Sequence, residues 1–117
     1  MTTPSHKAKN SDPVRGKTIR LSWTEGPTKG SAQDHIFHTD GTIEWHTAGD
    51  DKAAEKPERP VYSAVKITDE VCLVSYLSKS GYTLTVALNL GDGTTVGVAS
   101  NEKTWFPVKG TFEILTH

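Results

Sequence analysis

VYSAVKITDEVCLVSYLSKSGYTLTVALNLGDGTTVGVAS, residues Val61–Ser100, decides the fold. It holds four runs rich in Val, Tyr, Thr and Leu: Val61–Ile67, Val71–Ser78, Tyr82–Leu90 and Thr94–Ser100. Thr68-Asp69-Glu70, Lys79-Ser80-Gly81 and Gly91-Asp92-Gly93 separate them. β-Branched and aromatic residues suit pleated, half-buried backbone. Gaps this short, made of Gly, Asp and Ser, reverse the chain. Parallel neighbours would need crossovers of about a dozen residues or more. The stretch therefore predicts an antiparallel meander.

Working outward, the same pattern recurs on both sides. Lys17–Thr24 alternates Ile19, Leu21 and Trp23 with Arg20, Ser22 and Thr24, the period of a half-buried strand. Glu25–Gly30 is a turn, and Ser31–Thr39 a second strand with Gln33, His35 and Phe37 on one face. Asp40-Gly41 is a hairpin signal, and Thr42–Thr47 follows with Ile43 and Trp45 on one face. Ala48–Pro60 is the one long connection, charged and interrupted by Pro57 and Pro60, with room for a helical turn over Asp51–Lys56. At the other end, Thr104–Lys109 and Thr111–Leu115 flank Gly110, which marks a bulge or bend. The total is eight strands, or nine if Gly110 divides the last. An all-β, single antiparallel up-and-down barrel is expected over 16–117, because closure removes exposed sheet edges. Residues 1–15, nearly devoid of apolar side chains, are expected to form a flexible tail.

Composition narrows the function. The 117 residues make one domain with net charge −1, from 13 basic and 14 acidic side chains. No one-sign field exists to attract nucleic acid or an anionic membrane. No run reaches the ~18 apolar residues of a membrane span, and the polar N-terminus does not read as a secretory signal. The sole cysteine, Cys72, excludes an internal disulfide, which fits a reducing cytoplasm. It reads as a small buried hydrophobe rather than a reactive thiol. Gly-x-Ser-x-Gly, Cys-x-x-Cys and His-Glu-x-x-His are absent. Gly91-Asp92-Gly93 lacks the following helix of a phosphate cradle. Nothing in the sequence asks for a cofactor.

His35, His38 and His46 are the residues that could ligate zinc. His35 and His38 point to opposite faces of one strand, and His38 and His46 with Asp34 and Glu44 read better as a polar exterior, so no metal site is expected. His35 stands between two readings, a satisfied core histidine or a titratable group in an apolar pocket. Trp23, Trp45, Tyr62 and Tyr76 either pack the core or wall a site for a flat ligand. The runs 71–78 and 82–90 are apolar on both faces, which predicts a homodimer built on them.

Gly16–Leu21, Asp40–Trp45 and Tyr62–Leu90 resemble the small calycin or lipocalin-like barrels related to MoaF, molybdenum cofactor biosynthesis protein F. Ala64–Val71, with Val74-Ser75-Tyr76 and Gly81, is also similar to the phenolic acid decarboxylases. That family's paired tyrosines fall here on Leu21 and Trp23, its glutamate on Ser78, and its arginine nearest Arg59. Leu21 and Ser78 can neither hold a carboxylate nor move a proton, so that chemistry is rejected. The MoaF resemblance implies the barrel but no activity that transfers residue by residue; the function expected of such a barrel is to hold a small apolar or aromatic molecule. Trp23, His35, Trp45, Tyr76, Ser78 and Thr85 are its expected ligand-binding residues. The alternatives are a cofactor-free lyase, isomerase or cyclase with His35 as general acid or base and Tyr76 as oxyanion partner, and a structural homodimer with a filled interior.

Overall fold

The structure, a computed structural model, describes residues 12–48, 59–78 and 80–115. Eight antiparallel strands form one curled sheet: β1 (Thr18–Glu25), β2 (Ala32–Phe37), β3 (Ile43–Thr47), β4 (Tyr62–Lys66), β5 (Val71–Leu77), β6 (Thr83–Asn89), β7 (Thr94–Ser100) and β8 (Trp105–Ile114). Their order is β3-β2-β1-β8-β7-β6-β5-β4. Every sequence neighbour pairs except β3 and β4, and the first strand pairs with the last. The sheet meets itself at the Thr42–Val61 bridge, with Ile43 N–H on the Pro60 carbonyl at 2.9 Å and Tyr62 N–H on the Gly41 carbonyl at 3.2 Å. This is the barrel-like meander expected from the turns. The helical turn expected at Asp51–Lys56 lies outside the described residues.

Registers settle which faces look inward. Ile19, Leu21 and Trp23 of β1 turn in with Phe37, Ile43, Cys72, Val74, Tyr76, Val86, Leu88 and Val108, and together they make the buried core. On β5 the interior set is therefore Cys72, Val74 and Tyr76. On β6 it is Leu84, Val86 and Leu88, so the ambiguity of these two runs resolves to the even-numbered faces.

The domain starts earlier than Gly16. Val14 is fully buried, and the Tyr62 hydroxyl donates to the Asp12 carboxylate at 2.8 Å. The Arg15 guanidinium donates to the Thr39 carbonyl at 3.0 Å and lies 5.8 Å from the centre of the Tyr62 ring. Asp12–Arg15 thus belong with the barrel, because one buried valine and two anchored charges outweigh the polar composition around them. Residues 1–11 lie outside the described set.

Gly110 does not divide the last strand. β8 runs through it, and the irregularity sits opposite, where Trp23 faces Gly110 but Glu25 faces Lys109, leaving Thr24 as the extra residue. A Cβ on Gly110 would run into the backbone carbonyl of Ser22 and come within 3.2 Å of the Trp23 Cα. The glycine lets β1 and β8 approach closely where the wall bends. Gly110→Ala should therefore lower stability by about 1–3 kcal/mol. Lys109→Ala, at an exposed neighbouring position, should stay within about 0.5 kcal/mol. Urea unfolding of the two variants checks both.

Candidate functional site

The wall does not fill its interior. A cavity of about 350 Å³ opens beside the β1–β2 and β5–β6 turns. Trp23 and Gln33 enter it from β1 and β2, Trp45 from β3 and Tyr76 from β5. Leu84, Ala99, Phe106 and Val108 complete the far wall from β6, β7 and β8. Pro27, Thr28, Ser78, Ser80 and Tyr82 surround it from the turns. Aromatic and aliphatic surface dominates, and none of these described lining residues is charged. The volume is at the small end of ligand pockets. It has room for about a dozen water-sized groups at ~30 Å³ each.

Trp23, Trp45, Tyr76 and Ser78 are among the residues that line this cavity. His35 is not: it lies behind the lining, fully buried. Its Nε2 is 2.9 Å from the Tyr76 hydroxyl and its Nδ1 3.4 Å from the Gln33 carbonyl oxygen. Its ring stacks on Trp45 at 6.4 Å and meets Tyr76 edge-on at 5.9 Å. Thr85 is on the other side of the sheet, where its Oγ1 and the Oγ of Ser75 share a hydrogen bond of 2.8 Å. Strand alternation puts it there once Leu84 and Val86 turn inward. Gln33, Tyr82, Leu84 and Phe106 were missed. Gln33 shares parity with His35 and Phe37, so its face was legible. Tyr82 and Phe106, with ring centroids 6.0 Å apart, meet only through long-range strand register.

The partners of each ring nitrogen point to one tautomer of His35. The group opposite Nδ1 is a carbonyl, which only accepts, so Nδ1 carries the proton of neutral His35 and the bare Nε2 accepts from Tyr76. Trp23 Nε1 is donor-only and lies 2.9 Å from Gln33 Oε1, which fixes the amide with its oxygen toward the indole. Burial pushes the His35 pKa down to about 4, a hydrogen bond to the Gln33 backbone and the charge of Asp34 opposing it. Burial raises the Tyr76 phenol well above its ordinary range. Both groups are therefore neutral at neutral pH.

On the outer face, Arg20 grips Asp34 with two bonds of 2.8 and 3.1 Å and holds its carboxyl below the usual carboxylate range. His38 Nε2 is 2.7 Å from Glu44. No group of three or more His, Cys, Asp or Glu side chains converges among the described residues. Cys72 is buried, its thiol pushed up to about 11 first by burial and then by the nearby Asp12 charge. No helix among the described residues is long and apolar enough to cross a membrane.

A curled antiparallel sheet with a one-ended apolar cavity defines a small lipocalin-like barrel. The chain belongs to the MoaF N-terminal domain family, whose sequence profile matches residues 3–103. No curated protein matches it. Among solved structures it is similar to a protein from Burkholderia vietnamiensis described as a "putative beta-lactamase". The TM-score is 0.70 at 12% identity, over 90% of this chain and 98% of that one. At that identity the likeness concerns the fold alone.

Neutral His35 makes acid stability a direct readout of the site. The unfolded chain takes up this proton near pH 6.5 and the folded chain only near 4. Between these values the unfolded state binds more protons, so stability rises with pH. The difference amounts to about 3 kcal/mol across the window. Urea midpoints should fall as pH drops from 6.5 to 4.5, and His35→Gln should remove most of that slope.

Proposed function

We propose that this MoaF-family barrel binds a small apolar or aromatic molecule in its open end. The carrying observation is the 350 Å³ cavity with Trp23, Trp45, Tyr76 and Phe106 on its walls. Flat rings give large contact area at low conformational cost, and a filled structural barrel has no use for such a space. An enzyme using His35 as general base draws less support. Tyr76 caps its Nε2, and a base with a pKa near 4 is weak at neutral pH. The single buried thiol favours a cytoplasmic setting.

A ligand should raise the melting temperature, by about 2.7 kcal/mol of added stability at a hundredfold excess over Kd. Ala99→Trp, which puts an indole into the cavity, should abolish the shift while leaving the β-sheet circular dichroism intact. A shift that survives Ala99→Trp would place the ligand elsewhere.

A second reading concerns assembly. Val65, Leu73, Ala87 and Val96 are register partners in turn across the outer face of β4 to β7. Val65 is 52% and Val96 49% exposed, with Val61, Ile67, Leu77 and Trp105 exposed around them. We propose a homodimer through this face, since a contiguous exposed apolar patch on a sheet is a surface a second copy of the chain can cover. The surface expected on strands 71–78 and 82–90 is here extended to β4 and β7, because the outer face of β6 is mostly Thr and Asn. Light scattering should give a dimer mass that Val65→Lys with Val96→Lys reduces to a monomer. A wild-type monomer at micromolar concentration would overturn this.

A further inference from the structure

The hydrogen-bonding groups inside the cavity are polarised, and their polarity defines the ligand beyond "small and aromatic". Two polar side chains stand among the inner rings, Gln33 and Tyr76. The others, on Thr28, Ser78, Ser80 and Tyr82, belong to the turns. Ser80 already turns its backbone N–H and hydroxyl onto Ser78 Oγ at 3.2 and 3.0 Å. The Trp23 indole spends its one donor on Gln33 Oε1. That bond leaves the Gln33 amide nitrogen, with two N–H donors, without a protein partner among the described residues. Tyr76 is the reverse case. Its hydroxyl proton goes to His35 Nε2, so its oxygen has lone pairs to offer and no proton. His35 stands behind both, its Nδ1 toward the Gln33 backbone carbonyl and its Nε2 on Tyr76.

We infer that the cavity takes an uncharged aromatic ligand carrying one hydrogen-bond acceptor, met by the Gln33 amide, and one hydrogen-bond donor, met by the Tyr76 oxygen. A primary or secondary carboxamide, or a lactam fused to the ring, carries this pair on the two atoms bonded to one carbonyl carbon. An ionised carboxylate does not fit. It has no donor for Tyr76, and none of the described lining residues offers a charge to offset its desolvation. A plain hydrocarbon leaves both protein groups unsatisfied, which selects against it more strongly than the gain of one ordinary hydrogen bond would suggest.

This inference rests on the proposal that the cavity is the binding site, and the test separates the two. Isothermal titration of the wild-type protein with 2-naphthamide, N,N-dimethyl-2-naphthamide, 2-naphthoate and 2-methylnaphthalene varies only the polar head. 2-Naphthamide should bind at least about tenfold more tightly than each of the others. Tyr76→Phe should cost 2-naphthamide about tenfold and leave the dimethylamide nearly unchanged, since the latter has no donor to lose. Equal affinities across the series, or tighter 2-naphthoate, overturn the donor–acceptor assignment while the cavity reading stands. Binding by none of the four overturns both. Should Tyr76→Phe fail to fold, the wild-type series alone decides the assignment.

Discussion

Pairing of the first strand with the last is the constraint on which the molecule depends. β1 and β8 are far apart in sequence, yet their ladder runs from Ile19–Ile114 to Glu25–Lys109. Without it the chain would be two separate meanders, β1–β3 and β4–β8, each with an apolar face in water. With it, the inward faces of all eight strands look at one another. That long-range closure needs Gly110, because β1 crosses β8 too closely there for any side chain. It also aims Trp23 into the open end of the barrel, so the same crossing that shapes the wall positions one of the site's largest rings.

The two ends of the interior are built differently. One is packed: Val14, Phe37, Ile43 and Tyr62 are buried, and Phe37 meets the Tyr62 ring edge-on at 5.0 Å. The other holds the cavity. Between them sit His35 and Tyr76, whose hydrogen bond satisfies two polar groups that would otherwise be costly so far from water. Both stay neutral because burial favours the uncharged form of each. The pair joins the two regions, its imidazole buried behind the lining and its phenol ring on the cavity wall.

Strand existence was legible because turn chemistry and alternation act locally. Thr94–Ser100 was placed with its observed limits, and 71–78 and 82–90 were long by one residue and by two. What was not legible required knowing which strands lie side by side. On β5 and β6 both faces are apolar, so alternation could not choose between them, and Thr85 went to the wrong side. His35 was given the correct face but not its depth, because the interposed phenol comes from residue 76, across the interior. Val14 escaped because a single valine among polar residues carries no periodic signal. MoaF-like resemblance named the family without naming a site, since its shared residues are mostly those of strands and turns.

The meeting of β3 with β4 is the thinnest line in the wall. All the other neighbours share ladders of five to seven paired residues, whereas these two share one bridge. Few hydrogen bonds hold that line, so among the seams of the wall it is the one where local opening releases fewest. Trp45 rides on one bank of the cleft and Tyr62 on the other. The width of this seam thus bears on the girth of the bore independently of the seven ladders that make up the rest of the wall.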